Sequence, residues 1–553
     1  MLRLIQLPLA LSLSLSAPGA DGVDAPTNSA ESPAGFRGSF REPFAMEPLM
    51  LSEALSTAID TNIDLRSRVV DVEISETQVL AGLGAYDLIM TAGVSGSLGK
   101  TTPRGSAFVF STGSENLGAY VGLSRALETG GNIALQFDFN RTLTAQPRNF
   151  FGAAAASSGT VELAEYVVAP TLTISHPLLR GLGLKVNRAN INRARLSASQ
   201  ARANEHLIAQ QAVRDVVRAY WDVLYAIRDL ENRHKAVELA EQQLELTRAQ
   251  VAAGRLSAVE AKAIEQSLAV RENEVIIAED TLLTASISLR TLMGESLSGG
   301  STLGINPTTA PDYFEPRAID VDEEIERALA NNPQARQLEL ALASNRIDEL
   351  EAANQRLPQL DFSGSFNARG RSVDTAAVPE TGTPAAQGSW SEAFGNFVNE
   401  DIGADGLFAD FTIRGQLDLQ WDIRNRTAKA NHQRARAQIA LAELNLQKTQ
   451  QALASQVIQA ARSMRSALKR IEVSDLSVEL SQSNLEAERA RFSAGTATNY
   501  DVLSRIDELN RARQDALNAR LDYVRGLLEI QTLNGEILPA YGIGLAHAGA
   551  SEG

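Results

Sequence analysis

The sequence predicts an α+β membrane protein built from a duplicated unit of β-strands followed by a long helical hairpin. Three observations support this class of fold. Short residue patterns recur at a constant displacement along the chain. Two stretches of about 67 residues contain no proline and almost no glycine, which is typical of very long helices. Ahead of each stretch, segments of about ten residues alternate apolar and polar side chains, as strands with two different faces do.

The N-terminus has the pattern of an export signal. Arg3 supplies a positive charge, residues 4–15 are mainly apolar, and residues 16–20 are the small residues typical of a cleavage zone. We therefore predict a signal peptide over residues 1–20. Residues 21–48 are rich in Pro, Gly, Ser and acidic side chains, and this composition predicts a flexible leader.

Composition excludes several kinds of chemistry. The 553 residues include no cysteine, which removes disulfides, thiol catalysis and zinc–thiolate sites. The formal net charge of −16 argues against nucleic acid as a partner, because phosphate binding requires clustered Lys and Arg. The five histidines lack the spacing of metal ligands, and no nucleophile-elbow motif is present. We expect no cofactor, no bound metal and no enzymatic activity.

The duplication is visible in motifs that recur about 241 positions later. This displacement joins NINRAR at 190–195 to NHQRAR at 431–436, Gly254 to Gly495, and Gly294 to Gly535. Upstream, AIDTN at 58–62 corresponds to ALANN at 328–332 with a displacement of about 270, so the first copy holds about 29 additional residues. We therefore divide the chain into a first repeat at 49–294, a linker at 295–320, a second repeat at 321–538 and a short tail at 539–553.

The C-terminal part of each repeat is predicted to be a hairpin of two helices. Residues 186–253 and 426–494 are rich in Ala, Leu, Gln, Glu and Arg, with apolar residues at steps of three and four. Helices of that size are about 100 Å long and must pack along other helices in coiled-coil fashion. Gly254 and Gly495 end them, because glycine readily adopts the left-handed conformation found at helix ends. A further helix of about 35 residues follows each glycine, which places the hairpin tips there.

The apolar period changes from 3.6 to 2 between each opening helix and its long helix. The clearest example is FTIRGQLDLQWD at 411–422, and similar alternation occupies 87–98, 171–175 and 360–367. Strands of this kind match a transmembrane barrel with a polar lumen, with about four strands supplied by each chain. An ordinary two-layer sheet alternates in the same way and is a second interpretation. A further alternating segment at 133–140 either extends this sheet or projects outward as an additional hairpin.

These motifs resemble those of the TolC-type outer-membrane efflux proteins. The most specific is RFSAGTATNYDVL at 491–503, which is similar to the family's tip motif, and 250–260 is its weaker first-repeat version. Also similar are NNP at 331–333 before a helix, RLPQL at 356–360 before a strand and RGLG at 180–183 after one. The resemblance spans about residues 51–538.

The resemblance implies a homotrimeric duct in the cell outer membrane. Each protomer is expected to give two strand pairs to a twelve-stranded barrel, which a tapering barrel of coiled-coil helices continues across the periplasm. The expected function is that of a passive exit duct for efflux or type I secretion, coupled to an inner-membrane pump through a periplasmic adaptor. Outer-membrane lipid would surround the barrel.

The resemblance also implies functional positions at the hairpin tips. The periplasmic entrance and gate are expected at Asp501, Glu260 and Phe492, and the adaptor contacts at Gly254 and Gly495. The sequence departs from the family at three of the matched positions. Ser504 replaces a second acidic residue, Phe492 has no hydroxyl group and Ala497 has no charge. A role for Asp501 in stabilising a helix N-terminus is a compatible alternative.

Aromatic residues near the last strand are candidates for an interfacial girdle. Trp421, Phe411 and Phe408 lie at or near the ends of the clearest alternating segment. Simple packing within a sheet is the alternative interpretation.

Two other functions are compatible with part of the sequence pattern. A periplasmic coiled-coil adaptor or scaffold would explain the helices but not the alternating strands. A monomeric porin would need many more strands in one chain.

Overall fold

The computed structural model describes residues 46–100, 113–147, 160–295, 304–309, 319–375, 385–398 and 410–544. The predicted signal peptide, most of the predicted leader and Phe408 lie outside these residues. The first repeat contains β1 (Met46–Leu49), α1 (Leu51–Thr61), α2 (Ile63–Leu83), β2 (Leu88–Lys100), β3 (Gly113–Ala126), β4 (Asn132–Pro147), β5 (Thr160–Pro177), α3 (Leu184–Asn187), α4 (Ala189–Ala252) and α5 (Ala258–Met293).

The rest of the described chain contains β6 (Gly304–Pro307), α6 (Val321–Asn331), α7 (Pro333–Asn354), β7 (Gln359–Val373), α8 (Trp390–Val398), β8 (Asp410–Gln420), α9 (Arg426–Ser493), α10 (Asn499–Leu533) and α11 (Ile537–Ala540). No helix among the described residues is long and apolar enough to cross a membrane.

The two long helices have the predicted positions and lengths. Helix α4 has 64 residues and α9 has 68, so at 1.5 Å per residue they measure about 96 and 102 Å. Each packs along two shorter helices in succession, α4 along α2 and α5, and α9 along α7 and α10. Contacts of α4 with α7 and α10 join the two repeats. The prediction of two long helical hairpins is confirmed.

Equivalent asparagines join the shorter helices in both repeats. Asn62 caps α2 by accepting a hydrogen bond from the backbone N–H of Leu65, and its side-chain amide donates to the carbonyl of Leu292 at the end of α5 (3.1 Å). Asn332 caps α7 and donates in the same way to the carbonyl of Leu533 at the end of α10 (3.1 Å). One side chain thus satisfies groups at two helix ends, which otherwise lack intrahelical partners.

The principal hydrophobic core lies where the two repeats meet. It includes buried residues of α1, α4, α5, α9 and α10. Tyr220 is completely buried there, and its hydroxyl donates to the carbonyl of Leu49 and accepts from the N–H of Thr309, both at 3.0 Å. These bonds fix the chain beside the short parallel pair β1–β6 to the middle of α4.

Six strands form one antiparallel sheet in the order β2-β3-β4-β5-β7-β8. The prediction of about four strands per chain is therefore wrong. Strand β3 escaped detection because Gly118, Tyr120 and Gly122 lie between its apolar residues, where a clear alternation would need polar side chains. The alternating segment at 133–140 belongs to β4, so the extra length of the first repeat extends the sheet.

The register keeps apolar side chains on one face of the sheet. Phe362 pairs with Leu417 and Phe366 with Ile413 on this face. On the other face, Ser363 pairs with Gln416 and Ser365 with Arg414. Every second residue of a strand faces the same side of the sheet. The register of the other strand pairs therefore keeps the apolar and polar side chains on separate sides from β8 to β2. We call these two surfaces the apolar face and the polar face.

Three further details differ from the prediction. Strand β1 occupies the last residues of the predicted leader, and β6 lies within the predicted linker. These two strands pair with each other, and such a long-range partner cannot be read from local composition. Helix α8 was not predicted, because nine residues between two strands give too short a periodic signal.

Candidate functional site

At the tip of each hairpin, the long helix ends at a glycine in the left-handed conformation, and the next helix begins a few residues later. Gly254 and Gly495 have φ angles of 72° and 79° and follow the ends of α4 and α9. The next residues, Arg255 and Thr496, donate backbone hydrogen bonds to carbonyls five residues earlier at 2.9 Å. A Cβ atom at either glycine would meet no atom within 4 Å, so the left-handed backbone alone requires glycine there.

Asp501 belongs to a capping box at the start of α10. Its carboxylate accepts hydrogen bonds from the backbone N–H (2.9 Å) and hydroxyl (2.7 Å) of Thr498, and that hydroxyl accepts from the N–H of Asp501. The side-chain and backbone hydrogen bonds from Thr498 lower the pKa of Asp501, and the positive charges of Arg491 and Arg505 lower it further. This carboxylate therefore has a structural role at the helix start.

A buried asparagine connects the two tips, and the sequence analysis did not identify it. Asn499 is only 6% exposed, and its amide nitrogen donates to the carboxylate of Glu260 on α5 (3.0 Å). Its oxygen accepts from Gln243 on α4 (2.8 Å) and lies 2.9 Å from the hydroxyl of Thr247. We call these four residues the tip cluster. The available signal was a difference between the repeats, because Asn499 corresponds to Ala258 at the displacement of about 241.

A second polar contact joins the repeats further from the tips. Arg271 on α5 donates to the carboxylate of Asp507 on α10 at 2.7 Å. The arginine side chain is 7% exposed and the aspartate side chain 50% exposed, so a nearly buried cation depends on a partly solvated anion. Removing the aspartate would leave the arginine unpaired and away from water, whereas an aspartate without the arginine would still be partly solvated.

Phe492 packs inside the tip and does not face solvent. It is 4% exposed and belongs to a cluster with Leu485, Val502, Ile506 and Leu509. A groove of about 450 Å³ lies beside it, between the two tips of the chain. Glu260, Phe492 and Gly495 all line this groove, so three of the predicted positions come together there. Asp501 instead bonds to its own helix start.

Of the three girdle candidates, Phe411 and Trp421 lie within the described residues, at opposite ends of β8. Phe411 is the second residue of the strand and stacks on Phe366 with ring centroids 6.2 Å apart. Trp421 follows the last residue, Gln420, and is 66% exposed. The separation of ten residues corresponds to about 33 Å along a strand. They therefore belong to two levels of the sheet.

The apolar face of the sheet is exposed in the single chain. Val94 and Leu98 on β2 are 80% and 84% exposed, and Ile413 and Leu417 on β8 are 71% and 64% exposed. Soluble surfaces rarely leave so many adjacent apolar residues in water. The polar face carries Thr, Ser, Asn, Gln and charged residues at the intervening positions.

Comparisons with known proteins agree with this arrangement. The family model described as outer membrane efflux protein matches residues 162–295 and 325–536, more than half of the chain. The outer membrane protein TolC of Vibrio cholerae is 23% identical over 359 residues, which are 63% of this chain and 73% of that protein.

Solved structures show the same fold. The outer membrane protein VceC of Vibrio cholerae has a TM-score of 0.58 at 14% identity, covering 88% of this chain and 96% of VceC. The open state of the MtrE outer membrane channel of Neisseria gonorrhoeae has a TM-score of 0.54 at 17% identity, covering 88% and 89%.

Together these findings define the class of protein as an outer-membrane channel. The chain belongs to the outer membrane efflux protein family. It is a passive channel protein of the outer membrane rather than an enzyme, and its helical part lies in the periplasm. The alternatives of a periplasmic scaffold and a monomeric porin are set aside.

We predict that the start of α10 loosens in acid. Because the pKa of Asp501 lies below its ordinary value of 3.8, the carboxylate stabilises the capping box above that pH. The stabilisation is lost as the pH falls through the lowered pKa. Amide protection factors over 498–502, measured by hydrogen exchange, should therefore decrease in this range.

Asp501→Asn should show low protection at neutral pH with no further acid transition. Asp515→Asn, at an exposed position of α10, should behave like the wild type. An acid transition that survives in Asp501→Asn would contradict the assignment.

Proposed function

We propose that the protein is the homotrimeric exit duct of a tripartite efflux system. In this system it receives cargo from an inner-membrane pump through a periplasmic adaptor and releases it outside the cell. The observation that carries the proposal is the six-stranded sheet, which has an exposed apolar face, a polar face and two end strands, β2 and β8. Within the described residues each end strand pairs on one side only.

Closure of the sheet between copies would provide hydrogen-bond partners for the backbone groups of its edge strands. A strand in lipid needs partners for all its backbone N–H and C=O groups, so an open sheet cannot remain there. Pairing β8 of one copy with β2 of the next would close a ring, with the apolar face toward lipid and the polar face toward the lumen. Three copies of six strands give eighteen, instead of the twelve that the family resemblance implied. Barrels of this size leave an aqueous channel.

Exposed apolar residues on the long helices support the same assembly. Val473, Leu476 and Leu480 on α9 are 68%, 55% and 56% exposed at steps of three and four residues. A stripe at this spacing is typical of the seam of a coiled coil. In a trimer, neighbouring protomers would cover these stripes and form the tunnel wall.

Two exposed residues at equivalent positions support adaptor contact at the tips. Val259 on α5 and Tyr500 on α10 are 72% and 78% exposed, and the displacement of about 241 relates them. Tyr500 lines the groove beside Gly495, and Val259 directly precedes Glu260, which also lines it. Apolar side chains at a projecting tip suit the end-on contact of a helical partner, consistent with adaptor contacts near Gly254 and Gly495.

We further propose that the tip cluster holds the periplasmic end closed. Asn499 ties α10 to both helices of the first hairpin, so separating the tips requires its buried hydrogen bonds to break. The Arg271–Asp507 pair would open in the same movement. Phe492 would hold the tip by packing, since it has no polar group.

Detergent-solubilised protein from the outer-membrane fraction should be a trimer. Light scattering coupled to size-exclusion chromatography should give a protein mass three times that of the mature chain. Recovery of a soluble monomer from the periplasm would contradict the proposed duct.

Asn499→Ala should favour the open tip. The substitution removes hydrogen bonds from a buried cluster, at a cost of about 1–3 kcal/mol to the closed state, so the ratio of open to closed channels should rise roughly 5- to 150-fold. Single-channel recording in planar bilayers measures it directly. Asn273→Ala, at an exposed position of α5, is the matched control and should not change gating. Equal open probabilities in both variants would show that the tip cluster is not the gate.

Asp501→Asn should reduce the preference for cations. Three Asp501 carboxylates around a narrow entrance would concentrate cations, and Ser504 adds no second acidic ring. The reversal potential in a salt gradient measures this preference independently of how many channels are open. Asp280→Asn, an exposed acid on α5, is the control. An unchanged reversal potential would leave Asp501 with only its capping role.

A further inference from the structure

Helix α8 lies between β7 and β8 in the chain and packs against β7 and β5. Its N-terminus is fixed by the Ser389 hydroxyl, which accepts a hydrogen bond from the N–H of Glu392 at 3.2 Å. The Ser372 hydroxyl on β7 donates to the Glu392 carboxylate (2.7 Å), and the side-chain amide of Asn396 donates to the carbonyl of Arg371 (2.9 Å). The helix is therefore tied to the sheet along its length.

The helix lies on the apolar face of the sheet. Gly370 shares that face with Phe362 and Phe366, and a Cβ atom on it would come within 2.1 Å of the carbonyl oxygen of Ala393. Glycine is needed here so that α8 can approach the strand. Ala393 is completely buried at this contact.

Aromatic and polar side chains occupy different flanks of α8. Trp390, Phe394 and Phe397 follow one another at steps of four and three residues and form one stripe. Glu392 and Asn396 lie on the opposite flank and make the bonds to β7. Phe394 is 51% exposed and Trp390 is 37% exposed, so both rings are incompletely covered by the chain.

The position of α8 along the strands coincides with the outer end of the apolar band. Gly370 lies about eleven residues beyond Gln359, which pairs with Gln420 next to Trp421. That span is about 36 Å along the strand. With a barrel tilt of 35–45°, it corresponds to about 26–30 Å across the membrane, close to the height of about 25 Å typical of apolar bands.

Aromatic and charged side chains occupy the apolar face of the sheet at this level. The Trp390 ring packs edge-on against Phe139 (6.2 Å) and Tyr166 (5.2 Å). Arg141, two residues beyond Phe139 on the same face, lies over the Tyr166 ring at 5.8 Å. A charged residue beside tryptophan and tyrosine at the end of an apolar surface is typical of the membrane–water interface.

We propose that α8 is an interfacial helix that places Trp390 and Phe394 in the boundary between headgroups and acyl chains of the outer leaflet. The partner is the lipid itself. The apolar face of the sheet continues directly into the aromatic stripe, and the polar flank is bonded toward the outer end of β7. Amphipathic helices bury an apolar face to this shallow depth. The inference rests on the proposed lipid-facing barrel.

Spin labelling of single cysteines tests the proposal on the full chain, which contains no native cysteine. A nitroxide is attached at Phe394→Cys, at Ile413→Cys on the apolar face and at Gln416→Cys on the polar face, in trimers reconstituted into vesicles. Collisions with oxygen report lipid, and collisions with a water-soluble nickel chelate report water. We expect a lipid signature at Phe394 that is shallower than that at Ile413, and a water signature at Gln416.

The controls separate this proposal from the proposed barrel. A water signature at Phe394 with a lipid signature at Ile413 would overturn the interfacial helix alone. Low accessibility to both reagents at Phe394 would show that protein covers the helix, and would also overturn it. A water signature at Ile413 would instead overturn the barrel. Labelling at Ser391→Cys, a second exposed position of α8, provides the same readout if Phe394→Cys does not assemble.

Discussion

The unpaired backbone groups at the two ends of the sheet constrain everything else in this protein. Within the described residues β2 and β8 each bond to one neighbour, and their apolar side chains are among the most exposed in the chain. In lipid such edges must find partners, and a second copy of the chain offers edges of matching length and chemistry. The proposed ring of strands would in turn bring the long helices together at a fixed spacing. In the proposed trimer, the assembly of the periplasmic tunnel would therefore depend on closure of the sheet.

The tips show how a helix start can stay rigid while the contacts between hairpins remain breakable. Asp501 and Thr498 satisfy each other within one turn, so the start of α10 does not depend on the neighbouring hairpin. The side-chain hydrogen bonds of Asn499, the residue after Thr498, go to the first repeat. A movement that separates the hairpins would break the bonds of Asn499 and leave the capping box intact. The proposed gate and the structural cap are adjacent in sequence but independent in their hydrogen bonding.

Departures from the internal symmetry are concentrated where the two repeats have different tasks. The equivalent asparagines Asn62 and Asn332 keep the same bonds in the central region, because both repeats must join shorter helices there. The first repeat contributes β2 to β5 to the sheet, and the second contributes β7 and β8. The second repeat adds α8 on the apolar face. Symmetry is thus retained in the central region, where helices pack on helices, and lost in the sheet and around Asn499 at the tips.

The sequence by itself determined the duplication, the two long helices and the tip glycines, because each depends on local periodicity or on the conformational freedom of glycine at 254 and 495. It also predicted that strands with two different faces lie between the helices. The tertiary structure decided what depends on distant partners. Contacts between residues of different elements set four features. These are the number of strands in the sheet, the β1–β6 pair, the tip cluster around Asn499 and the position of α8 over Gly370. Asn499 illustrates the division, since its place at a tip was readable from the motif, whereas its bonds to Gln243 and Glu260 depend on residues more than 200 positions away.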